Sequence, residues 1–318
     1  MATLAGKIAL VAGATRGAGR GIARMLGEAG ATVYCSGRST RGNLASGPGR
    51  PETIDETAEL VTAAGGRGIA VRTDHLDVEQ VRSLVRRIEQ EQGRLDILVN
   101  DIWGGEPLTE FGKTLWEVSL EQGFTMLRQA IDTHIITSHE AVPLMLRSGQ
   151  PGLIVEITDG DFYGYRGNIF YDLVKTTVIR LAFIQAFELR KKGITAVAVT
   201  PGFLRSEAML DHFGVTDATW REAGQKDPSF LASETPCFVG RAVAALAADP
   251  AVAKKSGRVF SSWGLSEEYG FTDIDGAQPH FGRYFIQAYG KSYPACDDGF
   301  YQYWTNSPGE VVFPDWPP

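Results

Sequence analysis

The stretch that decides the fold is Ile8-Ala-Leu-Val-Ala12, followed at once by Gly13-Ala-Thr-Arg-Gly-Ala-Gly19. Five apolar residues without polar alternation are the pattern of a strand covered on both faces of a parallel sheet. Glycines at 13, 17 and 19 then make a turn, and a helical pattern opens at Gly19. Strand, glycine turn and helix start together suit a dinucleotide pyrophosphate. Glycine lets the backbone approach the phosphates, and the free N–H groups of a helix N-terminus bind the anion. The spacing is GxxxGxG rather than GxGxxG. Gly13, Thr15, Arg16, Gly17, Ala18 and Gly19 form the candidate phosphate-binding set.

Outward from this stretch the same alternation continues. Short apolar runs at 8–12, 32–35, 68–72, 95–100, 153–158, 195–200 and 259–261 read as strands. Helical patterns at 19–29, 53–64, 78–92, 115–146, 170–192 and 235–248 lie between them. Repeated β-α-β units imply an α/β fold, a doubly wound parallel sheet in a single Rossmann-type domain with helices on both faces. The expected division is a dinucleotide-binding domain over 1–262, with a substrate lid at about 203–234, and a C-terminal extension over 263–318. The second strand ends Tyr34-Cys35-Ser36-Gly37-Arg38, with no acid to accept from the ribose 2′-hydroxyl of NAD. Arg38 and Arg16 instead supply cations where a 2′-phosphate would lie, so the residues favour NADP(H).

Tyr171 and Lys175 stand four apart on a predicted helix and share one face. A phenol with a pKa of about 10 shuttles protons poorly at neutral pH. A neighbouring ammonium stabilises the phenolate and lowers that pKa, making the pair a candidate general acid/base.

GATRGAG, Asp74 after the third strand, Leu98-Val99-Asn100, Tyr171/Lys175 and Pro201-Gly202 together resemble the short-chain dehydrogenase/reductase family, over residues 7 to about 276. The resemblance implies hydride transfer between NADP(H) and a small-molecule carbonyl or alcohol substrate. It implies that Asp74 contacts adenine, with His75 at the adenine edge or in its loop, and that Asn100 supports the cofactor and the central strand. It implies that Lys175 holds the nicotinamide ribose, that Pro201 and Gly202 touch the nicotinamide, and that Ser206 meets the carboxamide. It also implies a homodimer or homotetramer paired through the long helix and the Tyr-Lys helix.

Two departures stand out. The family places a serine at the end of the fifth strand, where this chain has Ile157-Thr158-Asp159-Gly160. Thr158 keeps a hydroxyl donor for the substrate oxygen and is the favoured replacement, with Asp159 the alternative. An ionised Asp159 beside Tyr171 would raise the phenol's pKa. The family's relay asparagine falls near Gln129 and Ala130, leaving Gln129 or Asp132 as stand-ins. These departures keep two other readings open: a non-catalytic NADP-binding scaffold, and a lyase, epimerase or cyclase using the same Tyr-Lys chemistry.

The composition excludes several classes. A net charge of −7 argues against non-specific binding to nucleic acid or membrane surfaces. The five histidines show no metal-ligand spacing, and three separated cysteines suit a reducing compartment, so no metal and a cytoplasmic location are expected. Residues 263–318 hold 14 of the 32 aromatic residues. That density predicts a tail packed over the pocket mouth or onto a neighbouring subunit, favouring a bulky apolar or aromatic substrate. Trp103, Phe162, Tyr163 and Tyr165 are candidate pocket walls.

Overall fold

The computed structural model describes residues 4–45, 50–161 and 165–289. Among them, β1 (Ile8–Ala12), β2 (Thr32–Gly37), β3 (Arg67–Arg72), β4 (Ile97–Asn100), β5 (Gly152–Ile157), β6 (Ile194–Thr200) and β7 (Val259–Ser261) form one parallel sheet in the order β3-β2-β1-β4-β5-β6-β7. The helices are α1 (Gly17–Glu28), α2 (Ile54–Ala63), α3 (Val78–Gln92), α4 (Leu120–Leu127), α5 (Thr133–Arg147), α6 (Ile169–Leu189), α7 (Glu207–Phe213), α8 (Pro236–Ala248), α9 (Ser262–Tyr269) and α10 (Phe281–Tyr289). This is the doubly wound architecture that the apolar runs imply. No helix among the described residues is long and apolar enough to cross a membrane.

Successive strand residues point to opposite faces, and here both faces are covered. Ala9, Val11, Val33, Val99 and Val155 pack beneath α1 and α8, whereas Leu10, Tyr34, Leu98 and Ile154 pack beneath α3 and α5. Burial on both sides explains the absence of polar alternation. The order in which strands are added reverses at β1, which pairs in parallel with β2 on one side and β4 on the other. The C-terminal ends of β1 and β4 therefore open the crevice in which such sheets bind ligands.

The long helix departs from expectation. It begins at Leu120, where the Ser119 side chain accepts from the Gln122 N–H (3.3 Å), rather than at 115. Before it, Thr114 donates through its backbone N–H (2.9 Å) and its hydroxyl (2.5 Å) to Glu117, a local turn that competes with helix. A single π-helical turn, Arg128–Asp132, then separates α4 from α5.

One face of β5 carries a fully buried acid. Glu156 lies opposite Asn100 and accepts from the Asn100 side-chain amide (2.9 Å) and the Gln185 amide (2.7 Å). Its other oxygen lies 2.6 Å from His134 Nδ1, and His134 Nε2 lies 3.1 Å from the Ile102 carbonyl. A carbonyl can only accept, so in that contact the imidazole is the donor. Removing one partner of a buried pair strands the other. We expect His134→Leu to lose about 3–5 kcal/mol of unfolding free energy in urea titrations. A loss below about 1 kcal/mol would show that the pair is not a structural tie.

Candidate active site

The glycine turn is fixed by how closely it approaches β4. A Cβ on Gly13, whose φ is +93°, would stand 2.3 Å from the Asp101 carbonyl oxygen. A Cβ on Gly19 would meet the Gly13 carbonyl at 2.3 Å and an Asp101 carboxylate oxygen at 2.8 Å. Ala18 is buried, and Thr15 lies against Gly37 at the end of β2. The Gly17 N–H, first in α1, donates to a carboxylate oxygen of Glu207 (2.8 Å), which stands where a phosphate oxygen would be received. An anion held at this N–H fits the turn to a dinucleotide pyrophosphate.

The other expected cofactor residues are placed unevenly. Arg38 is exposed at the end of β2 and makes no ion pair among the described residues, while Arg16 lies 4.0 Å from Glu52. Asp74 follows β3 and accepts from the Leu76 N–H (3.0 Å). Asn100 is buried and its side-chain amide donates to Glu156 (2.9 Å). Ser206 caps α7 through the Met209 N–H (3.3 Å) and faces Gly17. His75 is turned into the protein. Its ring is buried, with Nε2 2.9 Å from Ser36 Oγ and Nδ1 2.8 Å from Thr137 Oγ1, and burial pushes its pKa down to about 3. It is a neutral bridge between β2 and α5.

Around Tyr171 the structure separates the two candidates for the missing serine. Thr158 is buried, and its hydroxyl donates to the Lys175 backbone carbonyl (2.7 Å), so it points away from the phenol. Asp159, the next residue, turns to the other side and accepts from the Tyr171 hydroxyl (2.7 Å). Of the two, it is Asp159 and not Thr158 that contacts the Tyr171 hydroxyl, because successive residues leaving a strand face opposite ways. Burial, and then the charge and hydrogen bond of Asp159, hold the Tyr171 pKa well above the ordinary phenol value. That reverses the lowering expected from Lys175, whose ammonium lies 4.2 Å over the Trp103 ring and 5.4 Å from the Tyr171 ring centre. Trp103 and Phe111 each stand edge-on to Tyr171 at 5.5 Å between ring centres. Tyr165 is exposed, and Phe162 and Tyr163 lie outside the described residues.

Sequence reasoning missed Arg166, a loop arginine with no motif to mark it. Its side chain is buried, donates to the Asp159 carbonyl (2.6 Å) and pairs with Asp172 (3.0 Å), fastening the β5–α6 loop to the first turn of α6. Asp101 borders the same space as Lys175. Burial raises its pKa to about 7 against the opposing pull of Lys175 and the Gly19 N–H. A cavity of about 10 Å³ is lined by Asp101, Trp103, Ala130, His134 and Lys175, room for one water. His134, rather than Gln129 or Asp132, is the polar side chain of the long helix that reaches it. Among the described residues no His, Cys, Asp and Glu cluster could hold a metal ion.

At the far side, Glu234 was also missed. It is buried, accepts from the Gly202 N–H (2.9 Å) and the Ser262 hydroxyl (2.6 Å), and so ties the Pro201-Gly202 turn to α9. Burial raises its pKa to about 8. The tail reaches this turn too, since a Cβ on Gly202 would stand 2.8 Å from Phe281 Cβ. Phe281 also lies 6.3 Å from both Phe203 and Trp263, ring centre to ring centre. The later tail rings, Tyr293 to Trp316, lie outside the described residues.

A family model described as short chain dehydrogenase matches residues 7–213, and the chain belongs to that family. It is similar to dehydrogenase/reductase SDR family member 1 of Mus musculus, 33% identical over 322 residues, 99% of this chain and 97% of the mouse protein. The Homo sapiens protein of the same name is 33% identical over 285 residues, 86% of this chain and 85% of its own length. A solved short chain dehydrogenase from Mycobacterium thermoresistibile shares the fold, with a TM-score of 0.72, 22% identity, and coverage of 88% of this chain and 93% of that one. A structure from Beutenbergia cavernae, provisionally described as an NAD(P)-dependent gluconate 5-dehydrogenase with NADP at low occupancy, is 28% identical with a TM-score of 0.63, covering 82% of this chain and 96% of that one. This chain is therefore a short-chain dehydrogenase/reductase, an oxidoreductase of the nicotinamide-dependent class.

Two outcomes follow from the displaced proton affinities. Asp159→Asn removes a charge that keeps the Tyr171 proton on, so the alkaline limb of the pH–rate profile should move to lower pH. An unmoved limb in an active variant would uncouple the two groups. Glu234 binds its proton more tightly folded than unfolded, so the stability it contributes is complete below about pH 4.5 and is lost as pH rises through about 8. The melting temperature should fall between pH 6 and 9, and fall less in Glu234→Gln. Parallel profiles would exclude Glu234 as the cause.

Proposed function

We propose that the protein is an NADP(H)-dependent carbonyl reductase, with Tyr171 as proton donor. The observation that carries this is the Tyr171 hydroxyl, 2.7 Å from Asp159 and held in its protonated form at the C-terminal edge of the sheet. Bound NADPH supplies the hydride. The glycine turn would hold its pyrophosphate, Asp74 its adenine and Lys175 its nicotinamide ribose. Arg16 and Arg38 favour the 2′-phosphate, a preference in line with the NADP reported for the Beutenbergia cavernae relative.

As the substrate oxygen gains charge, Tyr171 gives it a proton. Asp159 orients the phenol beforehand by accepting from it, and Arg166 fixes Asp159 through its backbone carbonyl. Lys175 is the nearby cation that steadies the phenolate left behind. The phenol is present in the protonated form that carbonyl reduction needs, as a weaker acid than an ordinary tyrosine.

Aromatic walls at Trp103 and Phe111 support a bulky apolar or aromatic substrate, with Phe203 of the lid over 203–234 against Phe281 of the extension on the far side. Exposed Phe124, Ile135, Leu173 and Ile184 on α4, α5 and α6 support pairing of copies into a homodimer or homotetramer. The three cysteines remain in keeping with a cytoplasmic setting. Tyr171→Phe is expected to lower NADPH-dependent ketone reduction by about 10²–10⁴, with dinucleotide affinity unchanged. Near-normal turnover in this variant would overturn the assignment.

A further inference from the structure

Arg50-Pro51-Glu52 stand just before Thr53, which caps α2. Glu52 stands beside Arg16 of the glycine turn. Glu52 is 7% exposed, one carboxylate oxygen lies 3.4 Å from Arg50 Nη1, and the other lies 4.0 Å from Arg16 Nη1. Those two facing atoms, Glu52 Oε2 and Arg16 Nη1, are buried and neither has a hydrogen-bond partner. Gly37 at the end of β2 lies against Thr15 and Ile54, which places this pair where β2, the glycine turn and the start of α2 meet. In doubly wound folds the adenosine ribose is received there.

Buried donors and acceptors are rarely left unmatched, so the pair calls for a group that satisfies both. A hydroxyl does, donating to Glu52 and accepting from Arg16. An oxygen about 2.8 Å from each fits a 4.0 Å span. A phosphate accepts from Arg16 but meets the Glu52 carboxylate as a like charge. Arg50 is no spare cation, since it also pairs with Asp211 (2.8 Å), which leaves exposed Arg38 as the second partner for a phosphate.

We propose that Glu52 is a specificity-determining residue that, with Arg16, reads the 2′-hydroxyl of the adenosine ribose. It gives the chain affinity for NAD(H) and restrains its preference for NADP(H). The inference rests on the dinucleotide part of the proposed function and not on the carbonyl chemistry.

Direct binding to the full chain tests it, with dissociation constants for NAD⁺ and NADP⁺ measured by calorimetry. Glu52→Gln is expected to tighten NADP⁺ and weaken NAD⁺, moving the ratio of the two constants at least about tenfold toward NADP⁺. Glu52→Asp, which keeps the charge but withdraws it, should weaken NAD⁺ without that gain. Glu59→Gln, an exposed acid paired with Arg41, controls for net charge. An unchanged ratio in Glu52→Gln, or an equal shift in Glu59→Gln, overturns the inference while leaving dinucleotide binding intact. Failure of the unaltered chain to bind either dinucleotide overturns the underlying reading, and the inference with it.

Discussion

A methyl group on Gly13 would stand 2.3 Å from the carbonyl oxygen of Asp101, and one on Gly19 would stand 2.3 Å from that of Gly13. No side chain fits at either place. This close approach lays the first turn directly on the end of β4 and sets the start of α1 beside the switch point of the sheet. Asp101 can then accept from the Gly19 N–H while it borders the space that Lys175 enters. Phosphate loop and central strands are thereby referred to one another through backbone contact, and the Tyr-Lys helix meets them through Lys175 at the space Asp101 borders.

Upon that frame the site carries unusual charge. Asp101 and Asp159 surround a single ammonium, Lys175, whose own pKa burial pulls down although both acids push it up. A serine at the position of Asp159 would leave the phenol easier to ionise. With a carboxylate there, the phenol keeps its proton and is a weaker acid than an ordinary tyrosine. The π-helical turn and His134 add a second difference, placing a histidine at the small cavity behind Lys175.

The strands were legible because their burial is local information. Runs such as Leu-Val-Ala or Ala-Val-Ala-Val are apolar without alternation only if both faces are covered. The glycine turn and the Tyr171/Lys175 spacing were legible for the same reason, since each lies within one element. What escaped depends on distant partners. Nothing near residue 52 announces Arg16, and nothing near residue 234 announces Gly202. The choice between Thr158 and Asp159 turned on which side each faces beyond Ile157, a parity that the length of the following loop obscured. Residues 115–118 have helical composition, but Thr114, Glu117 and Ser119 close a turn and a cap that outcompete it.

The contact between Glu207 and the Gly17 N–H joins residues 190 positions apart. One N–H cannot serve two anions equally, so any phosphate that binds there does so at the expense of α7. By linkage, whatever free energy docks α7 on the turn is subtracted from the affinity for that phosphate, and the phosphate loosens α7 by the same amount. Docking of α7 and filling of the phosphate loop are two ends of a single balance.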